Sequence, residues 1–176
     1  MDIMLKEVLW NQFGASIDML INAISSCPDD YFESNRRFYY IAFHSAIFLD
    51  YYSTLPPRDF LPLLSFTQKE PEERPKEAID DLIPDKIYDK QELVEYLKRT
   101  REKCKQIVYA LTDDRLLDRF KEGDEPHDMD YPILEILLYN LRHTQHHTAQ
   151  LNMLLRQDFG RHVEWSFRVG DIYKEQ

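Results

Sequence analysis

Apolar side chains at Leu5, Leu9, Phe13, Ile17, Leu20 and Ile24 recur in steps of three and four, which puts them on one face of a helix that Pro28 ends. A second helix is predicted from Ser34 or Asn35, either of which can accept from the free N–H groups of a first turn, to about Thr54 before Pro56–Pro57. Between Phe38 and Tyr52 it is apolar or aromatic nearly all round, so it should be covered on most sides. A third runs from about Lys90 to near Asp113, on the pattern Leu93, Leu97, Cys104, Val108 and Leu111 with charges between. The fourth opens with Asp130 as cap, tolerates Pro132 in its first turn, and closes where Gly160 can take a left-handed position.

Residues 56–84 hold six of the nine prolines and read as a long connection between the second and third helices, with one short helix near Lys76 to Asp81. Residues 114–129 read as a polar loop around Gly123 and Pro126, and Val163 to Val169 as a short tail of strand-like but ambiguous pattern. The fold class predicted is all-α, a four-helix bundle forming a single domain over residues 1–176.

Composition narrows the function. A net charge of −10, with no basic run longer than Arg36–Arg37, disfavours a groove for nucleic acid. With 43% hydrophobic residues the chain can bury enough surface to fold. No 18 apolar residues run together, and the first residues, Met-Asp-Ile-Met-Leu-Lys-Glu-Val, lack a basic segment followed by an apolar one, so the expectation is no membrane span and a cytoplasmic protein. Cys27 and Cys104, far apart and without CxxC spacing, fit two reduced thiols. Trp10 and Met19, off the main stripe of the first helix, hint at a surface for dimerisation.

The chemistry lies in the histidines. Three of the six fall in the fourth helix, as Arg142-His143-Thr144-Gln145-His146-His147-Thr148-Ala149-Gln150. Scattered at random, six histidines would give about 0.17 pairs four apart, so this spacing alone is a weak signal. Direction adds to it: His147 sits about 40° from His143 on the face of Ile136, Asn140 and Leu154, whereas His146 turns about 60° the other way. His44 lies in the stripe of Tyr40, Phe48 and Tyr51, and a buried imidazole left unpaired costs about 1 to 3 kcal/mol. Facing His143 and His147, it would complete three nitrogen ligands for one divalent ion with a coordination position left open.

Glu-x-x-His and HExxH spacings are absent, which removes the di-iron and zinc-protease readings. Asn140 and Gln150 are candidates to hold the ligating rings, and Tyr40 and Tyr51 to line a pocket. His127, His146 and His162 read as surface residues, and Asp50 points about 120° away from His44. The charged residues of 68–90 read most simply as a solvated face, with a lid over the site as the lesser alternative.

One histidine in the second helix with His143-x3-His147-x2-Gln150 in the fourth resembles the DinB/YfiT-like superfamily, whose pattern in the last helix is H-x3-H-x-G-Q. Ala149 stands here for the usual glycine and Thr148 where arginine is common. The resemblance implies a DinB/YfiT-like four-helix bundle, a three-histidine site for zinc, nickel or a similar ion, and a homodimer. It also implies a metal-dependent hydrolase, or a transferase acting on a small-molecule substrate such as a low-molecular-weight thiol. No catalytic residue is assigned by it, and a non-catalytic metal-binding or protein-interaction bundle is the competing reading.

Overall fold

The computed structural model describes residues 1–171. The chain is mostly helical, and the described residues form five α-helices, α1 (Ile3–Ser25), α2 (Asp29–Ser34), α3 (Arg36–Tyr51), α4 (Lys90–Ala110) and α5 (Ile133–Phe159). Local chemistry sets most of their ends. Asp2 accepts from the Met4 N–H at 3.0 Å to open α1, and Asn35, not Ser34, accepts from Phe38 at 2.9 Å to open α3. Asp89 and Glu92 form a reciprocal capping box at the start of α4. Gly160 ends α5 at φ 64°, where a side chain would be strained.

The four long helices pack around a shared core. Both α1 and α3 lie against α4 and α5. Phe13, Ile17, Leu20 and Ile24 of α1 meet Phe38, Phe43 and Ile47 of α3, Leu93 and Leu97 of α4, and Leu137, Leu151 and Leu155 of α5 in one buried cluster. Among the described residues no helix is long and apolar enough to cross a membrane.

Several expectations are corrected. The short α2 follows Pro28 directly, because proline is well suited to precede a first turn and Asp29 and Asp30 favour the positive end of a helix. Residues 76–81 form turns, not a helix: they have no apolar face to bury, and the Asp80 carboxylate accepts from the Leu82 N–H at 3.0 Å, competing with helical bonding. The connection instead carries a two-stranded antiparallel sheet of β1 (Phe66–Gln68) and β2 (Leu82–Pro84), with Thr67 opposite Ile83. A second pair, β3 (Arg119–Lys121) and β4 (Asp130–Pro132), precedes α5. Asp130 therefore does not cap α5: it pairs in β4 and takes the Arg119 guanidinium at 2.5 Å, and α5 starts at Ile133.

Val163 to Val169, after α5, form no strand. This stretch crosses α1, where the Val169 N–H donates to the Asn11 carbonyl at 3.0 Å, and a Cβ on Gly14 would come within 2.5 Å of Val169. Trp10 and Met19, expected on a surface, are consequently only 4% and 3% exposed. Exposed apolar residues of α1 lie in its first turns instead, at Ile3, Met4, Leu5 and Val8.

Asp18 is fully buried on α1, and its carboxylate accepts from the Arg101 guanidinium of α4 at 2.6 Å and from the Gly170 N–H at 2.9 Å. A lone buried carboxylate is costly, so this ion pair ties α1, α4 and the tail together. Arg101→Met, which keeps the aliphatic stem and removes the charge, should lower stability by about 3 to 5 kcal/mol. Urea unfolding followed by circular dichroism measures this, and an unchanged midpoint would show that the pair is not structural.

Candidate metal centre

His44 is carried by α3, a helix buried nearly all round, and His143 and His147 lie one turn apart on α5, which packs against it. The helix contact is fixed close to the site by Asn140, whose side-chain amide donates to the Leu49 carbonyl at 3.0 Å and to Ser53 Oγ at 3.1 Å. With α3 and α5 held there, the three Nε2 atoms face one another. His143 Nε2 lies 3.1 Å from His44 Nε2 and 3.1 Å from His147 Nε2. The ligand atoms of all three lie within 4.8 Å of one another, so the cluster can hold a metal ion, and among the described residues no fourth such side chain joins it.

The donor chemistry fits a cation. The Nδ1–H of His44 donates to the Asp80 carboxylate, and that of His147 to Gln150 Oε1 at 2.8 Å. Both partners accept only, so both Nε2 atoms carry lone pairs toward His143. His143 Nδ1 is buried without a hydrogen-bond partner among the described residues. If its proton sits on Nε2, it serves one neighbour and leaves the other lone pair opposed; if on Nδ1, three lone pairs face inward. A divalent ion removes the conflict, since nitrogens bound at 2.0 to 2.1 Å with angles from square to tetrahedral stand about 2.9 to 3.4 Å apart. The two α5 rings are also kept neutral, as ligation requires. Burial, then the neighbouring imidazoles His147 and His44, brings His143 down to about 3. Burial and His44 bring His147 down to about 4, against an opposing pull from Gln150.

Aromatic rings enclose the cluster. Phe48 tilts against His44 at 4.5 Å between centroids, Tyr52 meets His143 edge-on at 5.6 Å, and Tyr139 stacks beside His143 at 6.1 Å. On the far side of Phe48, a cavity of about 370 Å³ lies between α3 and the first sheet, lined by Phe48, Tyr51, Phe60, Phe66, Asp81 and Glu122 among others. A second opening of about 290 Å³ is lined by Tyr139, Arg142, His143 and His146.

The other residues singled out in the sequence divide as follows. Gln150 contacts His147 and donates to His146 Nε2 at 3.2 Å. Asn140 shares their helical face, but its hydrogen bonds go to α3 and not to an imidazole. Tyr51 lines the larger cavity and donates to Glu122 at 2.6 Å, whereas Tyr40 packs against Tyr39 and does not line it. Asp50 accepts from Tyr96 and Lys103, each at 2.5 Å, well apart in chemistry from the histidines. His127, His146 and His162 are exposed.

Asp80 is the residue that sequence reasoning missed. It lies in the charged segment read as a solvated face, and no spacing relates it to His44. The one available signal was general: a ligating imidazole needs an oxygen acceptor on its other nitrogen.

Fold and site together define a mostly helical protein with a buried three-histidine cluster able to hold a metal ion. Residues 41–151, which include all three histidines, match the family model of the DinB superfamily, and the chain belongs to that superfamily. No curated protein and no solved structure matches it significantly.

The lowered histidine values give the apoprotein a pH dependence of definite sign. An unfolded imidazole takes up a proton near 6.5, while His143 and His147 in the folded chain do so only near 3 and 4. Between those limits the unfolded state binds more protons, so stability falls as pH falls. In protein stripped of divalent ions, the thermal midpoint should drop steadily from pH 7 to pH 5, above the carboxylate range, and less steeply in His143→Gln. A flat wild-type profile in that window would contradict the buried neutral rings.

Proposed function

We propose that this chain is a metal-dependent enzyme, a single-domain four-helix bundle of DinB/YfiT-like type with a long connection between its second and third long helices. One divalent transition ion, zinc or nickel, is held by His44, His143 and His147. The observation that carries this reading is the meeting of three Nε2 atoms from two helices, with no fourth protein ligand among the described residues. A structural zinc site would close with that fourth ligand; an open position is what a reacting ligand needs. A divalent ion there lowers the pKa of a thiol or a water, supplying a nucleophile near neutral pH.

The protein's own groups do the rest. Asp80 and Gln150 hold two rings with Nε2 inward, and Phe48 and Tyr52 limit the access of water to the cluster. The cavity beside Phe48 and Tyr51 is of a size for a small-molecule substrate. The reaction class is S-transfer from a low-molecular-weight thiol to an electrophile, or hydrolysis when water is the nucleophile.

Burial pushes both thiols, Cys27 and Cys104, up to about 12, so neither is a reactive nucleophile, and two buried reduced cysteines support a cytoplasmic location. A homodimer is supported by the apolar groove where Leu5, Val8 and Leu9 of α1 meet Leu134, Leu138 and Leu141 of α5. The same groove is the observation that favours the competing reading, a non-catalytic protein-interaction bundle.

Elemental analysis of the purified protein beside His143→Ala should find about one divalent ion per chain in the first and strong depletion in the second. Equal metal content would remove the site. A screen of low-molecular-weight thiols with electrophilic substrates should show turnover that chelation abolishes. Inactivity with every thiol and with hydrolysable esters and amides would favour the non-catalytic reading.

A further inference from the structure

We propose that Asp80 is a positioning residue for His44, and that through it occupancy of the metal site is coupled to the order of residues 66–84, which form one wall of the cavity. This rests on the metal-binding reading above.

Three observations carry it. First, one carboxylate serves two elements: Oδ2 of Asp80 takes the Nδ1–H of His44, and Oδ1 takes the Leu82 N–H at 3.0 Å, at the first residue of β2. Second, the contact is sheltered, with side-chain exposures of 12% for His44 and 18% for Asp80. Third, among the described residues it is the one hydrogen bond from 66–84 to any helix. The others remain within the connection, as from the Lys69 N–H to the Asp81 carbonyl, the Arg74 guanidinium to the Lys69 carbonyl, and Thr67 to Asp85. The apolar anchorage is thin, since Leu82 is buried and Phe66 half-buried while most of residues 69–77 are exposed.

The coupling follows from the imidazole itself. Withdrawal of electron density at Nε2 makes Nδ1–H a stronger donor, so the bond to Asp80 strengthens when Nε2 is ligated. Linkage is reciprocal: if ligation tightens the tie that orders 66–84, that order raises the affinity of the site by the same factor. Phe66, Gln68, Asp81 and Leu82 line the cavity, so its wall is set in place by the same event.

The test uses the full chain, freed of metal by chelation and titrated with Zn²⁺ against a chromophoric chelator. Hydrogen–deuterium exchange of residues 66–84 is followed with and without the ion. Asp80→Ala should weaken Zn²⁺ binding about 10- to 100-fold, and Asp80→Asn, which keeps one oxygen acceptor and can therefore serve His44 or Leu82 but not both, by less. Zn²⁺ should slow exchange at the Lys69 and Leu82 amides in the wild type but not in Asp80→Ala. Leu82→Ala, which loosens the segment without touching His44, should also weaken binding. Equal affinities in wild type and both Asp80 variants overturn the positioning role. Unchanged affinity in Leu82→Ala, or protection of 66–84 that does not depend on Zn²⁺, overturns the coupling. A wild type that binds no Zn²⁺ refutes the metal reading itself, and that arm is read before any variant is made.

Discussion

Three imidazole Nε2 atoms meet between α3 and α5, with that of His143 at 3.1 Å from each of the other two, and the surrounding structure is organised to hold them there. Two rings are locked from behind by acceptors that fix their tautomer, so their inward nitrogens cannot relieve lone-pair repulsion by donating. Burial also disfavours a proton from solvent on His143 and His147. A divalent cation between the three nitrogens would resolve the repulsion.

Such a cluster requires that two helices keep a fixed separation. Asn140 supplies the local brace between α5 and α3, one turn from His143, and its role is therefore structural even though it contacts no imidazole. Further away, the buried Asp18–Arg101 pair joins α1 to α4, which in turn flank α3 and α5. The site thus sits on elements whose relative positions are set by a core on one side and by polar ties on the other.

The helices were legible because each carries a periodic apolar face and most carry a capping residue, as at Asn35 and Gly160. His44, His143 and His147 were legible for a related reason: helical geometry fixes the direction of the α5 pair, and an imidazole in the apolar stripe of α3 needs a partner. What escaped was non-local. Strands of three residues, such as β1 and β2, are too short to show an alternating period, and Asp130 looked like a cap because nothing nearby announced its pairing with Lys121. Asp80 is 36 residues from His44, in sequence of no distinct pattern. Trp10 and Met19 looked exposed because the tail that covers α1 comes from the other end of the chain.

The three rings are not held alike. Turning His44 or His147 breaks a bond at Nδ1, whereas His143 has none to break, and it alone of the three borders the opening formed with Tyr139, Arg142 and His146. The orientation of His143 is instead set by the rings of Phe48, Tyr52 and Tyr139 packed around it. The outer flank of α5 thus meets the cluster at the ring that packing, and not a hydrogen bond at Nδ1, holds in place, whereas the aromatic cavity beside Phe48 lies against α3.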